Sequence, residues 1–519
     1  MRRNRRYLGM MWIVAGAMCL AVGCGGDDEE GQSAPPKECS VDAQTGCGAG
    51  QECMLAADGK PACFCSPSGK TGCEEGLECQ PLTEGGAGCY CSIDKQSGCE
   101  VGLACQPVTD GHSGCFAPVT VAGQVFDLDS GDAIEGAHVV ARDVNNAAVS
   151  GVAVSDEGGR YELSVPAPHN EDGTLVAFEV LLRADAADYM TFPSWPRVAL
   201  PIDVAAAAGD PPMLENASTD IGLLGLENTT GLGSISGTVV ADAPRGTLVV
   251  AGGSAQGGGV TGIADVDGDY TVFNVPVGSV TVRGYKAGLQ LDTETATVDD
   301  GQVTEDVDLE ATGEATAVVS GKVSLVNPGD GEATSVILAV EETFIENVAT
   351  GEAPPGLRAG NITSGWSIDG VPDGKYVVLA AFENDMLVRD PDTSIGGTDL
   401  VRVTVSGANI EIAEGFKITG SLEVVSPDRE EEVSGTPSFV WADDSGEDHY
   451  EVVVFDAYGH LVWEKKDVPG VSGDKQVTVQ YGGDPLEAGL LYQFRATSIK
   501  NGGSALSRTE DLRGVFLYR

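Results

Sequence analysis

Twelve cysteines fall between Cys39 and Cys115, and they repeat with a period of 26. The first unit holds Cys39, Cys47, Cys53 and Cys63, the second Cys65, Cys73, Cys79 and Cys89, and the third Cys91, Cys99, Cys105 and Cys115. Spacings of eight, six, ten and two recur without a slip, and neighbouring residues repeat with them, as in "TGCEEGLECQPL" beside "SGCEVGLACQPV". A unit this short carries too few large apolar side chains to build a core, so cross-links must replace one. Two disulfides per unit are expected, with the pairing open, because four cysteines allow three connectivities. Thiolate metal chemistry is the rival reading. It is disfavoured by the single histidine of the frame, His112, and by the absence of Cys-x-x-Cys spacing.

Disulfides require an oxidising compartment, and the start of the chain supplies the route to one. Arg2, Arg3, Arg5 and Arg6 precede an apolar run from Tyr7 to Gly23, followed by Cys24, Gly25, Gly26 and four acids. This is the pattern of a secretory signal. The small residues Ala21 and Gly23 before Cys24 resemble the lipobox of bacterial lipoproteins, although the leucine lies at Leu20 and not at the usual next position. The resemblance implies cleavage after residue 23 and acylation of Cys24. Gly25, in place of an acid, implies passage to the outer membrane, with the cell surface favoured over the periplasmic face.

Charge limits the partners. The chain has 30 basic and 79 acidic residues, a net −49; loss of four arginines with residues 1–23 leaves 26 against 79, or −53. Phosphate binding needs a basic patch that no segment supplies, so nucleic acid is excluded as a partner. An anionic membrane surface repels such a chain, and a lipid must hold it there.

From about Val119 the pattern changes to short alternating strands and glycine-rich turns, predicting an all-β chain of tandem sandwiches behind the disulfide-rich segment. The stretch "GQVFDLDSGDAIEGAHVVARDV" with "GRYELSVPAP" resembles the carboxypeptidase regulatory-like domain, a transthyretin-like β-sandwich, through Gly123, Val125, Asp127, Gly131, Gly136, Val139, Tyr161, Leu163 and Pro166. Related copies follow, sharing Val-Pro-x-Gly at Val275–Gly278 and Val371–Gly374. The third copy carries long insertions, Glu341 to Asn361 and Asn384 to Thr398, of the kind that often holds binding residues. At the end, Trp441, the alternation Tyr450, Val452, Val454, and the set Leu486, Gly489, Tyr492, Phe494, Ala496 resemble a fibronectin type III domain. That likeness implies that the Tyr492 hydroxyl ties its strand to an upstream loop.

The expected organisation is a lipoprotein signal (1–23), an acidic, Pro-containing tether (24–38), three cysteine repeats (39–115), three carboxypeptidase regulatory-like domains (118–227, 233–312, 317–417) and a fibronectin type III-like domain (418–519). Sandwiches of the regulatory-like kind accompany zinc carboxypeptidases, but the catalytic half is missing: none of the five histidines, His112, His138, His169, His449 and His460, begins a His-x-x-Glu. His449 and His460 read as strand positions. No nucleophile elbow or phosphate loop is present, no cofactor is implied, and the chain is not expected to be an enzyme.

Two further features carry chemistry. Asp265, Asp267 and Asp269 in "DVDGD" offer oxygens to calcium, yet the twelfth position of an EF-hand-type loop would be Pro276, and a β-turn explains the acids. Trp195 and Trp366 are suited to stacking on sugars, but core packing is the simpler role for each. Two functions remain. One is a non-enzymatic, lipid-anchored envelope protein presenting sandwiches for adhesion, recognition or architecture, with a surface protein or polysaccharide as ligand. The other is an accessory, substrate-delivering subunit of an extracellular hydrolase or polysaccharide-binding system.

Overall fold

The computed structural model describes residues 39–82, 85–93, 95–109, 111–144, 146–252, 258–326, 333–346, 349–380, 387–389, 400–413, 415–444, 446–471, 476–500 and 504–519. Cys24, the signal and the tether lie outside them, as does the insertion Asn384 to Thr398 apart from the strand Leu387–Arg389. The described chain is all-β, interrupted by three short 3-10 turns. Among the described residues no helix is long and apolar enough to cross a membrane.

Each cysteine unit is one antiparallel hairpin, Gln51–Leu55 with Pro61–Cys65, Leu77–Pro81 with Ala87–Cys91, and Ala104–Pro107 with Ser113–Phe116. The pairing left open by the spacing is first with third and second with fourth: Cys39–Cys53 and Cys47–Cys63, Cys65–Cys79 and Cys73–Cys89, Cys91–Cys105 and Cys99–Cys115. The spacing of two now has a physical meaning. Cys63 and Cys65 share the strand Pro61–Cys65, so one strand closes a unit and opens the next, and the units run on without a linker. Loops of 14 and 16 residues closed in this way are worth ~3 kcal/mol each by chain entropy.

The last unit is docked on the body. Phe116 stacks on His169 at 3.9 Å, the Gln106 side chain accepts from the Ala167 amide at 2.8 Å, and Pro107 accepts from the His169 amide.

The next three sandwiches share one topology. In each, a long opening strand (Val119–Asp127, Leu232–Val240, Ala317–Val326) pairs antiparallel with the fourth strand (Arg160–Val165, Asp269–Pro276, Gly365–Val371). It also pairs parallel with two late strands: Met213–Leu214 and Ile221–Leu223, Val303–Thr304 and Leu309–Glu314, and Ile410–Glu411 and Phe416–Gly420. The facing sheets are centred on the adjacent pairs Glu179–Asp185 and His138–Arg142, Leu248–Ala251 and Gly278–Tyr285, and Thr334–Val340 and Gly374–Ala380. Val125, Val139 and Leu163 are buried in the first core, as alternation predicts. Residues after 420 form a sheet of three strands over a larger one of six, with Trp441, Tyr450, Val452 and Val454 in its core.

These sandwiches are not beads on a string. Leu248, Val250, Ile263 and Tyr285, on the outward face of the second sandwich, are buried in one cluster with Val140 of the first and Leu357 and Tyr376 of the third. The strand Thr334–Val340 is buried at every position: Val336, Leu338 and Val340 join that cluster, while Ile337 and Ala339 pack under Phe344 and Ala353 of the insertion that begins at Glu341.

Candidate functional site

The outward sheet of the first sandwich carries a guanidinium in the middle of an apolar strand, Glu179–Asp185, "EVLLRAD". Arg183 is 0% exposed. Its Nε and Nη2 donate to Asp185 at 2.5 and 3.0 Å, Nη2 donates also to Thr261 of the second sandwich at 2.7 Å, and Nη1 lies 3.3 Å from Glu352 of the third. Burial works against this charge, but Asp185 and Glu352 outweigh it and hold the group above its ordinary value. Arg142, one strand over, donates to Glu352 at 2.7 Å; burial there prevails and lowers the guanidinium to about 10. Arg283 of the second sandwich donates to Glu342 at 2.7 Å, and Arg358 of the third to Asp143 of the first. Acids of the insertion therefore tie the third sandwich to the other two.

Beside this junction opens a cleft of about 540 Å³, walled by all four sandwiches: Trp195 and Arg197 of the first, Phe273 of the second, Glu352 of the third, Arg495 and Asp511 of the last. The segment from Tyr189 to Ala199 forms one wall. Trp195 is 47% exposed, with its ring edge-on to Phe455 at 5.5 Å. Arg197 lies over the Phe192 ring at 4.8 Å and donates to the carbonyls of Ala457 and Gly222 at 2.9 and 2.7 Å. Burial lowers it to about 10. Arg495 donates to Asp511 at 3.2 Å and to the Pro196 carbonyl at 3.3 Å, and burial lowers it too. A second cavity of about 230 Å³, between Phe126 and Leu128 of the first sandwich and Phe455 and Tyr492 of the last, shares Arg197 as a wall.

The residues singled out from sequence are mostly elsewhere. Asp265 is engaged in a turn, its Oδ1 accepting from the amides of Asp267 and Asp269 at 2.9 Å, while Asp269 accepts from Thr238. Among the described residues, the side chains of metal-ligating type that converge in threes are cysteines, and those sulfurs are bridged. Trp366 is core, 5% exposed. Trp195 is not: the core role expected of it is overturned by its position at the mouth of the cleft. His449 is on a strand, but His460 falls in the turn before Leu461, its amide bound to Asp456 at 2.8 Å. The reason is that Asp456 caps a tight turn through Tyr458 and His460. Tyr492 Oη accepts from the Glu487 amide at 2.9 Å, a tie to the loop upstream. The arginine junction has one local signal in the sequence, the lone arginine inside "EVLLRAD".

No family model matches the chain, and no curated protein does. Among solved structures it is similar to a streptococcal ancillary pilin, with 12% identity over 57% of this chain and 98% of that one and a TM-score of 0.16. A DUF3823 family protein from Parabacteroides merdae shows 9% identity over 39% and 98%, with a TM-score of 0.18. The major pilin subunit of Bacillus cereus shows 11% over 57% and 99%, with a TM-score of 0.15. With TM-scores this low, the all-β assignment rests on the sheets of this chain itself.

Proposed function

We propose that the protein is a non-enzymatic component of the cell envelope, anchored through acylated Cys24, that holds a block of β-sandwiches away from the outer membrane for adhesion or recognition. The observation that carries this reading is the joint between ladder and body. Six disulfides stiffen three units in series, and the last unit is fastened to the first sandwich through Phe116, His169 and Gln106. A stiff ladder with a fixed joint sets a distance and an orientation, which a soluble binding protein does not need. The acidic charge favours the same arrangement, since the body is repelled by an anionic surface while the lipid holds the base.

The test is protease treatment of intact cells. Cleavage of residues 119–519 while a periplasmic marker survives is the expected result, and protection would overturn the surface reading. Labelling with a radioactive fatty acid, lost in Cys24→Ser, checks the anchor separately. A second reading, a polysaccharide-binding component that serves an extracellular hydrolase, is favoured by one observation: the exposed indole of Trp195 at a cleft walled by four sandwiches.

A further inference from the structure

The joint between ladder and body repeats a contact found inside the ladder. Where the second unit meets the third, Tyr90 stacks on His112 with ring centres 4.4 Å apart, and the Gln80 side chain accepts from the Ser113 amide at 3.0 Å. Where the third unit meets the first sandwich, Phe116 stacks on His169 at 3.9 Å, and Gln106 accepts from the Ala167 amide at 2.8 Å. Gln80 and Gln106 are 26 residues apart, as are Tyr90 and Phe116, so one pair of side chains, a period on, makes both contacts. Each glutamine also donates across its own hairpin, Gln80 to the Cys91 carbonyl at 3.1 Å and Gln106 to the Phe116 carbonyl at 3.0 Å.

The groups that receive them are alike in kind and unlike in origin. His112 and Ser113 follow the turn of their hairpin, whereas Ala167 and His169 precede a turn closed by Asn170 and Thr174, in a segment without cysteine. The first sandwich is therefore not a worn fourth repeat; it presents a histidine ring and a backbone amide where the next unit would. The contact is dry: Gln106 and Ala167 are 0% exposed and His169 4%. A buried amide is costly without an acceptor, and this decides which unit fits. The first unit carries Met54 at the glutamine position, and its aromatic, Phe64, packs on Gly86 where the third unit has His112. We infer that Ala167 and His169 form a docking site for the glutamine and aromatic end of a disulfide unit, one that accepts the second unit as well as the third and rejects the first. The ladder is then a spacer whose length changes in whole units with no change at the body. This goes beyond the adhesion or recognition reading and holds whatever the body recognises.

Deleting residues 91–116 removes the third unit with its four cysteines and brings Gln80 and Tyr90 to the sandwich; deleting 65–116 brings Met54 and Phe64 there. Hydrogen exchange at the Ala167 amide, followed by mass spectrometry on the purified chain, reads the contact directly. Expected is protection in the first deletion within ~3-fold of the unaltered protein, and exchange at least ~10-fold faster in the second deletion and in Gln106→Met of the full chain. Gln80→Met should leave Ala167 protected in the full chain but expose it in the chain that lacks 91–116, a reversal that general destabilisation would not produce. If the first deletion does not close its four remaining bridges, a second copy of residues 65–90 inserted after Phe116 poses the same question with all six natural bridges kept. Fast exchange at Ala167 in whichever of the two oxidises, or failure of both to oxidise, overturns the proposal. So does an Ala167 that stays protected with Met54 at the joint, because the site would then not select a glutamine. Cellular location does not enter this measurement, so its failure is distinct from that of the surface reading.

Discussion

At the scale of single residues, the three related sandwiches repeat one device. A glycine of the opening strand faces an aromatic residue of its antiparallel partner: Gly123 opposite Tyr161, Gly237 opposite Tyr270, Gly321 opposite Trp366. In the first two sandwiches the missing Cβ leaves room for the segment that leads into the parallel strand, and the tyrosine hydroxyls donate to a backbone carbonyl there, Thr219 at 2.6 Å in the first and Val307 in the second. The third copy keeps the ring but lacks the hydroxyl, and the Trp366 Nε1 has no partner among the described residues. None of these three glycines has positive φ, so the demand is for space and not for backbone freedom. A methyl at Gly237 would run into the Val307 carbonyl. Gly237→Ala is therefore expected to cost about 1–3 kcal/mol in urea denaturation, whereas Gly313→Ala, which meets open space, stays within ~0.5 kcal/mol. Equal effects at the two sites would remove the steric explanation.

At the scale of elements, much of the fold is legible in the sequence because strand alternation and cysteine spacing are local signals. Val125, Val139 and Leu163 read inward and are inward; the period of 26 reads as one unit and is one hairpin. The strands that read differently are "LVVA", "TSVILAV" and "EVLLRAD", apolar on both faces. In antiparallel sheets such runs announce a cover on the outer face, but nothing local says what the cover is. Thr261, which Arg183 reaches, is 78 residues away, and Glu352 lies in an insertion whose sequence shows only that it is long. The candidate cleft is invisible for the same reason, since separate segments of all four sandwiches contribute its walls. One consequence of covering these strands is measurable. His138, at the start of such a strand, stands edge-on to Phe273 of the second sandwich at 5.0 Å; burial lowers its pKa, with Asp185 and Asp265 opposing. The unfolded chain, where histidine titrates near ~6.5, then binds the proton more readily than the folded one. This contribution to stability is complete above that pH and is lost as pH falls through the lower folded value. Urea midpoints measured between about pH 7.5 and 5 should fall more steeply for the natural protein than for His138→Gln; parallel curves would show that this packing does not penalise the charged ring.

At the scale of the whole molecule, the question is whether three sandwiches of one topology behave as three bodies or as one. Repetition in sequence suggests independent bodies in series. Physical contact argues otherwise, because outward-facing residues of the first two sandwiches share one buried cluster with the core of the third, and Glu352 serves Arg142 and Arg183 together. Interfaces between domains of a chain are commonly polar and permit motion; an apolar one with buried ion pairs couples the folding of its parts. Calorimetry should accordingly show the three sandwiches melting in a single transition. Glu352→Ala leaves Arg142 buried without its carboxylate and costs up to about 3–5 kcal/mol, less to the extent that water reaches the position. Because Arg183 retains Asp185, the damage falls on the contact with the third sandwich rather than on the first sandwich's own core. The variant should therefore release the third sandwich as a separate, earlier transition, with the first two still melting together. Three resolved transitions in the unaltered protein would mean that the shared cluster transmits no stability, and the body would then be a string after all, carried on a stiff ladder but unable to hold a four-walled cleft in shape.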